Sequence, residues 1–141
     1  MFNLFDVNFV AVAVAAVTFM AGGLWYSRLM FVTAWCRESG VPMPGETAPT
    51  SERTSKHPAT VFGFAFAFSF LAAWAIAVLA GAHPSITTGV RTGLIAGFGV
   101  AASAFGINYQ FAAKSWLLWA IDGGYHTVHC TLIGLVLGLF G

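Results

Sequence analysis

The chain has 141 residues, 58% of them apolar and only 8% charged, with a formal net charge of +1. A soluble domain carries about 25% charged residues, and one of this size buries too little surface to hide so much apolar side chain. An ordinary soluble fold is therefore excluded, lipid is the expected solvent, and the small net charge gives no electrostatic case for nucleic acid.

The first eight residues contain Asp6 and neither Lys nor Arg. They lack the basic flank of a secretory signal, so the Ala- and Val-rich stretch 9–26 is expected to stay as a membrane span. Residues 27–58 differ in kind. They hold four of the six basic residues (Arg28, Arg37, Arg53, Lys56), three acids (Glu38, Glu46, Glu52) and four of the five prolines. The part from Arg28 to Ser39 is too short to span and too apolar for a free loop, which predicts a short helix lying in the interface. Gly40 should end it. The following stretch, 41–58, is expected to be the most mobile part of the chain.

Three more apolar runs follow, at 59–80, 90–109 and about 117–140. Each approaches the ~20 residues that a helix needs to cross a ~30 Å hydrocarbon layer. Phe62, Phe64, Phe66, Phe68 and Phe70 repeat every second residue, as in a strand. A lone strand in lipid would leave its backbone unpaired, so helix is expected there too. The fold class is thus all-α, one domain over 1–141, with four transmembrane helices and an interfacial helix after the first. The excess of basic residues on 27–58, with Lys114 before the last span, orients both termini away from the cytoplasm of a cell membrane. Trp25, Tyr26, Trp35 and Trp116 serve as interfacial anchors on the cytoplasmic side. The endings Gly23-Leu-Trp-Tyr26 and Gly106-Ile-Asn-Tyr109 echo one another, as the ends of a parallel repeat would.

The last span carries the polar residues. Asp122, His126 and His129 are spaced four and then three apart and share a helix face. At 1.5 Å per residue His126 and His129 lie roughly 13 Å and 18 Å into the span. Ionisable groups at that depth should face protein or water. One use is a proton or solute pathway in which Asp122 pairs with His126 and His129 extends the relay. The other is a polar clasp, with both histidines donating to carbonyls or to Asn108. A metal or haem would rely on His126, His129 and Cys130, with adjacent residues 129 and 130 diverging by about 100° around the helix; no cofactor is predicted. Cys36 and Cys130 do not form a disulfide framework. Gly89, Gly93 and Gly97, with Gly134 and Gly138, recur every four residues and let helix backbones approach closely, either inside one subunit or across a dimer. No nucleotide loop, Cys-x-x-Cys pair or activated nucleophile is present, so no enzyme is expected.

Gly23-Leu-Trp-Tyr26 with Phe31 and Trp35, then Asn108-Tyr109-x-Phe111, then Ile121-Asp-Gly-Gly-Tyr-His126 and Gly134-x-x-x-Gly138 resemble the small membrane proteins of domain-of-unknown-function family 1761. The resemblance covers nearly the whole chain outside 41–58. It implies a four-span fold with no established activity, and marks Trp25, Tyr26, Trp35, Asn108, Tyr109, Asp122, Tyr125 and His126 as pattern positions. Arg28 stands where the pattern has Pro, and His129 and Cys130 stand where it has apolar or small residues. The expected function is a small oligomeric channel or carrier for protons or a small solute, with a polar site at Asn108, Tyr109, Asp122, Tyr125, His126 and His129. The alternatives are an accessory subunit of a larger membrane complex, and metal or haem binding. The expected partners are the bilayer and either further copies of the chain or other membrane subunits.

Overall fold

A computed structural model describes residues 3–46 and 56–141. Half of the stretch expected to be mobile, with Glu52 and Arg53, lies outside the described residues. Among those described, every regular element is helical, and five helices are present: α1 (Phe9–Trp25), α2 (Val32–Ser39), α3 (Pro58–Ala80), α4 (Ile86–Phe111) and α5 (Trp116–Phe140). By length and composition α3, α4 and α5 can each cross a membrane, whereas α1 is shorter.

Local chemistry sets the helix starts. The Asn8 side chain accepts from the N–H groups of Val10 and Ala11, both at 3.1 Å. Ser85 accepts from Thr88 and Ser115 from Leu118. These side chains satisfy amide donors that a helix start leaves open. Pro58 opens α3, where its missing N–H costs nothing. Gly40 ends α2 at φ 76°, a left-handed conformation suited to glycine. The segment from Arg28 to Phe31 forms turns instead of the expected helix, so α2 begins only at Val32. Ser27 explains the late start: its backbone oxygen accepts from both Met30 and Val32, which closes a turn before the helix begins.

Two long helices change their winding. Val17–Met20 in α1 is 3-10 helix, and Ile95–Ala102 in α4 is π-helix. Tighter winding stretches α1, and wider winding shortens and thickens α4.

The arrangement is centred on α5, which touches every other helix. Asn8 donates to the Phe140 carbonyl at 3.2 Å and Trp25 to the Ile121 carbonyl at 3.0 Å, so α1 runs antiparallel along α5. Short connections at 81–85 and 112–115 make α3, α4 and α5 alternate in direction. Ala11, Val12, Ala15 and Ala16 of α1 pack with Ala73, Ile76 and Ala77 of α3 and with Ile133 and Leu137 of α5. The small side chains face inward. Phe62, Phe64 and Phe68 of α3 point outward, each more than half exposed. The alternating phenylalanines lie on a helix, as expected. A soluble monomer rarely leaves such apolar area open, while a lipid-facing helix requires it.

Glycines bring α4 and α5 together. A methyl group on Gly89 would collide with the Gly134 carbonyl, one on Gly134 with the Gly89 carbonyl, and one on Gly93 with the Cys130 carbonyl. Gly97 lies against Thr127 and Gly138 against Ile86. The glycine stripe is therefore a seam within one subunit, where dispersion and Cα–H···O contacts add up.

Candidate functional site

Asp122 lies about 9 Å along α5 from its start, where α1 ends, α2 crosses and α4 finishes. Its side chain is 7% exposed. Tyr26 donates to Oδ1 at 2.7 Å, Trp35 Nε1 donates to Oδ1 at 3.0 Å, and Tyr109 donates to Oδ2 at 2.6 Å. The ends of α1 and α4 and the middle of α2 thus meet on one carboxylate. A carboxylate offers about four lone-pair sites and no donor, so three donors nearly fill it. The two tyrosines whose sequence contexts echo one another take one oxygen each.

The neighbouring glycines make room for this arrangement. Gly124 lies under the Trp25 ring, and Gly123 against Trp119 and Ala102. Trp119 Nε1 donates to the Ala102 carbonyl, where the π segment ends, at 2.8 Å. Tyr125 donates to the Phe19 carbonyl, inside the 3-10 segment, at 2.8 Å. Both irregular stretches therefore offer a carbonyl to a side chain of α5.

Further along α5 the histidines separate in role. Ser69 gives its one hydroxyl proton to the Ala16 carbonyl at 2.6 Å. Its oxygen must then accept from His129 Nε2, 3.0 Å away, which places the imidazole proton on that nitrogen. Tyr125 stacks on the His129 ring at 5.6 Å and 8°. His129 is thus a buried clasp from α5 through α3 to α1. His126 is only half-buried and stacks on Phe105 at 4.9 Å and 19°. Among the described residues neither of its ring nitrogens has a hydrogen-bond partner. It lines a cleft of about 300 Å³ with His129, Tyr125 and Ser69, bordered by Phe68 and Ala101.

The expected site is therefore divided. Tyr109 and Asp122 meet, while Tyr125, His126 and His129 gather around the cleft. Asn108 is exposed and reaches neither group. The expected Asp122–His126 pair is absent among the described hydrogen bonds, because the carboxylate is taken by aromatic donors and the imidazole lies against Phe105. His126, His129 and Cys130 do not converge either. His129 reaches α3, Cys130 packs toward Gly97 on α4, and among the described residues no three His, Cys, Asp or Glu side chains stand close enough to share an ion. Trp25, Tyr26 and Trp35 direct their polar atoms onto α5, whereas Trp116 is 69% exposed.

Sequence reasoning missed Ser69, hidden among phenylalanines, although a lone hydroxyl in such a run is a usable signal. It also missed Phe105, and Trp119, expected in the interfacial aromatic belt, instead turns its indole N–H to Ala102. Outside the long helices, Glu38 on α2 is held below the usual carboxylate range, first by the Ser115 hydroxyl and then by the Arg37 guanidinium 3.0 Å away. Ser115 is also the residue that caps α5.

No curated protein and no solved structure matches the chain. The family model described as a protein of unknown function, DUF1761, matches residues 9–138. That match spans the Asp122 cluster, the glycine seam and the histidine cleft, and the chain belongs to the DUF1761 family.

Proposed function

We propose that this chain is a four-span membrane protein that binds and carries a small molecule in the cleft beside His126. The fourth span is α1. With 17 residues, four of them in 3-10 winding, it reaches roughly 27 Å, close to the ~30 Å of hydrocarbon. It also runs beside α5 from Phe140 to Ile121. α2 then lies in the interface, burying Val32 and Cys36 and exposing Arg37. Arg28, Arg37 and Lys114 belong to the Asp122 end and mark it as cytoplasmic.

One observation carries the function: His126 lines a cleft with its ring nitrogens unpaired among the described residues, while the polar groups around it are engaged. An unpaired polar group inside a membrane is costly, and a guest would supply its partner. The carboxylate supports a different role. With three donors in place, Asp122 serves as a clasp, which favours a carrier-type pocket over a proton wire through that residue. Binding without covalent chemistry suffices for this function.

The test is to purify the protein in mild detergent and identify small molecules that travel with it by mass spectrometry. Ala72→Leu and Ala101→Leu fill the cleft wall. A compound held stoichiometrically by the wild type and lost from both variants supports the proposal. The same small-molecule content in all three refutes it.

A further inference from the structure

The chemistry of the cleft limits its guest, and the nature of that guest depends on the proposed binding function. None of the ten side chains that line the cleft is charged. An ionised guest would find no counter-charge there, and an unpaired buried ion is costly. Three of the four polar side chains already have partners: Ser69 on Ala16, Tyr125 on Phe19 and His129 on Ser69. Among the described residues only His126 has both ring nitrogens free, one donor and one acceptor when neutral, while His129 keeps one acceptor at Nδ1. One polar head is what the cleft can satisfy.

The mouth of the cleft opens sideways. The glycine seam holds α4 against α5, and α3 meets α4 mainly along Ile86–Leu94. Past that point the two helices part, and Ala65, Ala72 and Ala101 are too small to close the gap. Phe68 stands at the rim, 68% exposed. His126 and His129 lie ~15 Å and ~20 Å along the ~36 Å of α5, so the mouth is at mid-length, away from either aqueous end. About 300 Å³ is at the small end of ligand sites and suits a ring-sized head, with any tail left in the lipid.

We infer that the cleft takes a neutral, lipid-soluble molecule with one ring-sized head that bears carbonyl or hydroxyl oxygen, which enters laterally from the bilayer and hydrogen-bonds to His126.

Three probes test this on the full chain in nanodiscs, each corrected for empty nanodiscs: a decyl-substituted benzoquinone, decylbenzene and benzoate. The quinone is expected to bind best and to shift the nitrogen-15 resonances of His126. His126→Phe keeps the ring and removes the hydrogen bond, and should weaken quinone binding about fivefold to tenfold, the value of one such bond. Should that variant not fold, the wild-type nitrogen shift still decides. Equal binding of decylbenzene, or quinone binding with no His126 shift, overturns the polar-head inference. Preferred binding of benzoate overturns the neutral class and leaves the cleft as a site. If no probe exceeds empty nanodiscs and the cleft-filling variants keep the same small-molecule content as wild type, the binding function falls as well.

Discussion

Removing the Asp122 carboxylate should be the most damaging polar substitution in the protein. Asp122→Ala leaves the Tyr26 hydroxyl, the Trp35 indole and the Tyr109 hydroxyl without their acceptor. Interhelical hydrogen bonds in membranes average about 0.6 kcal/mol and reach about 1.7 kcal/mol. Three of them together give a loss of roughly 2 to 5 kcal/mol. Asp122→Asn should cost less, near ~1 kcal/mol, because an amide keeps one acceptor oxygen and its NH₂ can donate to a tyrosine oxygen. Tyr26→Phe and Tyr109→Phe should each lose about 0.6 to 1.7 kcal/mol in the parent. Both should be silent in the Asp122→Ala background, where nothing remains to accept. Reversible unfolding in mixed micelles measures all of these. A loss below about 0.5 kcal/mol for Asp122→Ala, or tyrosine penalties that persist in that background, would refute the clasp.

The glycine seam and a neighbouring control make a paired prediction. Gly93→Ala meets the Cys130 carbonyl and should cost about 1 to 3 kcal/mol through overpacking, whereas Gly99→Ala meets nothing within 4 Å and should be neutral or mildly stabilising in the same unfolding assay. Ser69→Ala removes the link from His129 to the Ala16 carbonyl and should cost about 1 kcal/mol, with the loss reduced in a His129→Phe background, where Ser69 still donates to Ala16. Glu38 gives a pH dependence. Its folded form holds the proton less tightly than the ordinary value of 4.5, so its contribution is complete above that pH and fades as the pH falls through the lower folded value. Protease sensitivity of the α2 segment should rise over that acid range in the wild type and stay flat in Glu38→Gln.

Much of the scaffold was legible because membrane helices announce themselves by length and hydropathy. The glycine seam was legible as well, since a four-residue spacing of small residues has few other uses. The aromatic donors were harder. Tyr26 and Trp35 are amphipathic, and a sequence looks the same whether such a ring aims its polar tip at water or at a buried carboxylate. Their place beside basic residues argued for the interface, and their contact with Asp122 depends on how the chain turns between α1 and α2. The 3-10 and π segments left no local signature, because Ile95–Ala102 is apolar and rich in Gly and Ala like any other stretch of span. Each segment offers one carbonyl to a side chain of α5, a contact between elements distant in sequence. Asn108 misled for the opposite reason. Its position near Tyr109 suggested a shared site, but adjacent residues on a helix point about 100° apart, and only Tyr109 faces α5.

The polar face of the last span therefore performs two tasks that its spacing alone could not separate. Asp122 and His129 are consumed by packing: one gathers α1, α2 and α4, and the other ties α3 and α1 to the middle of α5. His126 lies between them on the same face, yet among the described residues no neighbour satisfies it. The clasps also give the open position its setting. With α1 and α3 held by His129 and Ser69, and α4 held by the glycine seam, the cleft has walls on three sides and opens between α3 and α4. A clasp and the proposed binding pocket are then complementary parts of one helix, and substitutions should divide accordingly: Asp122 and Ser69 move stability, while His126 moves binding with little effect on unfolding.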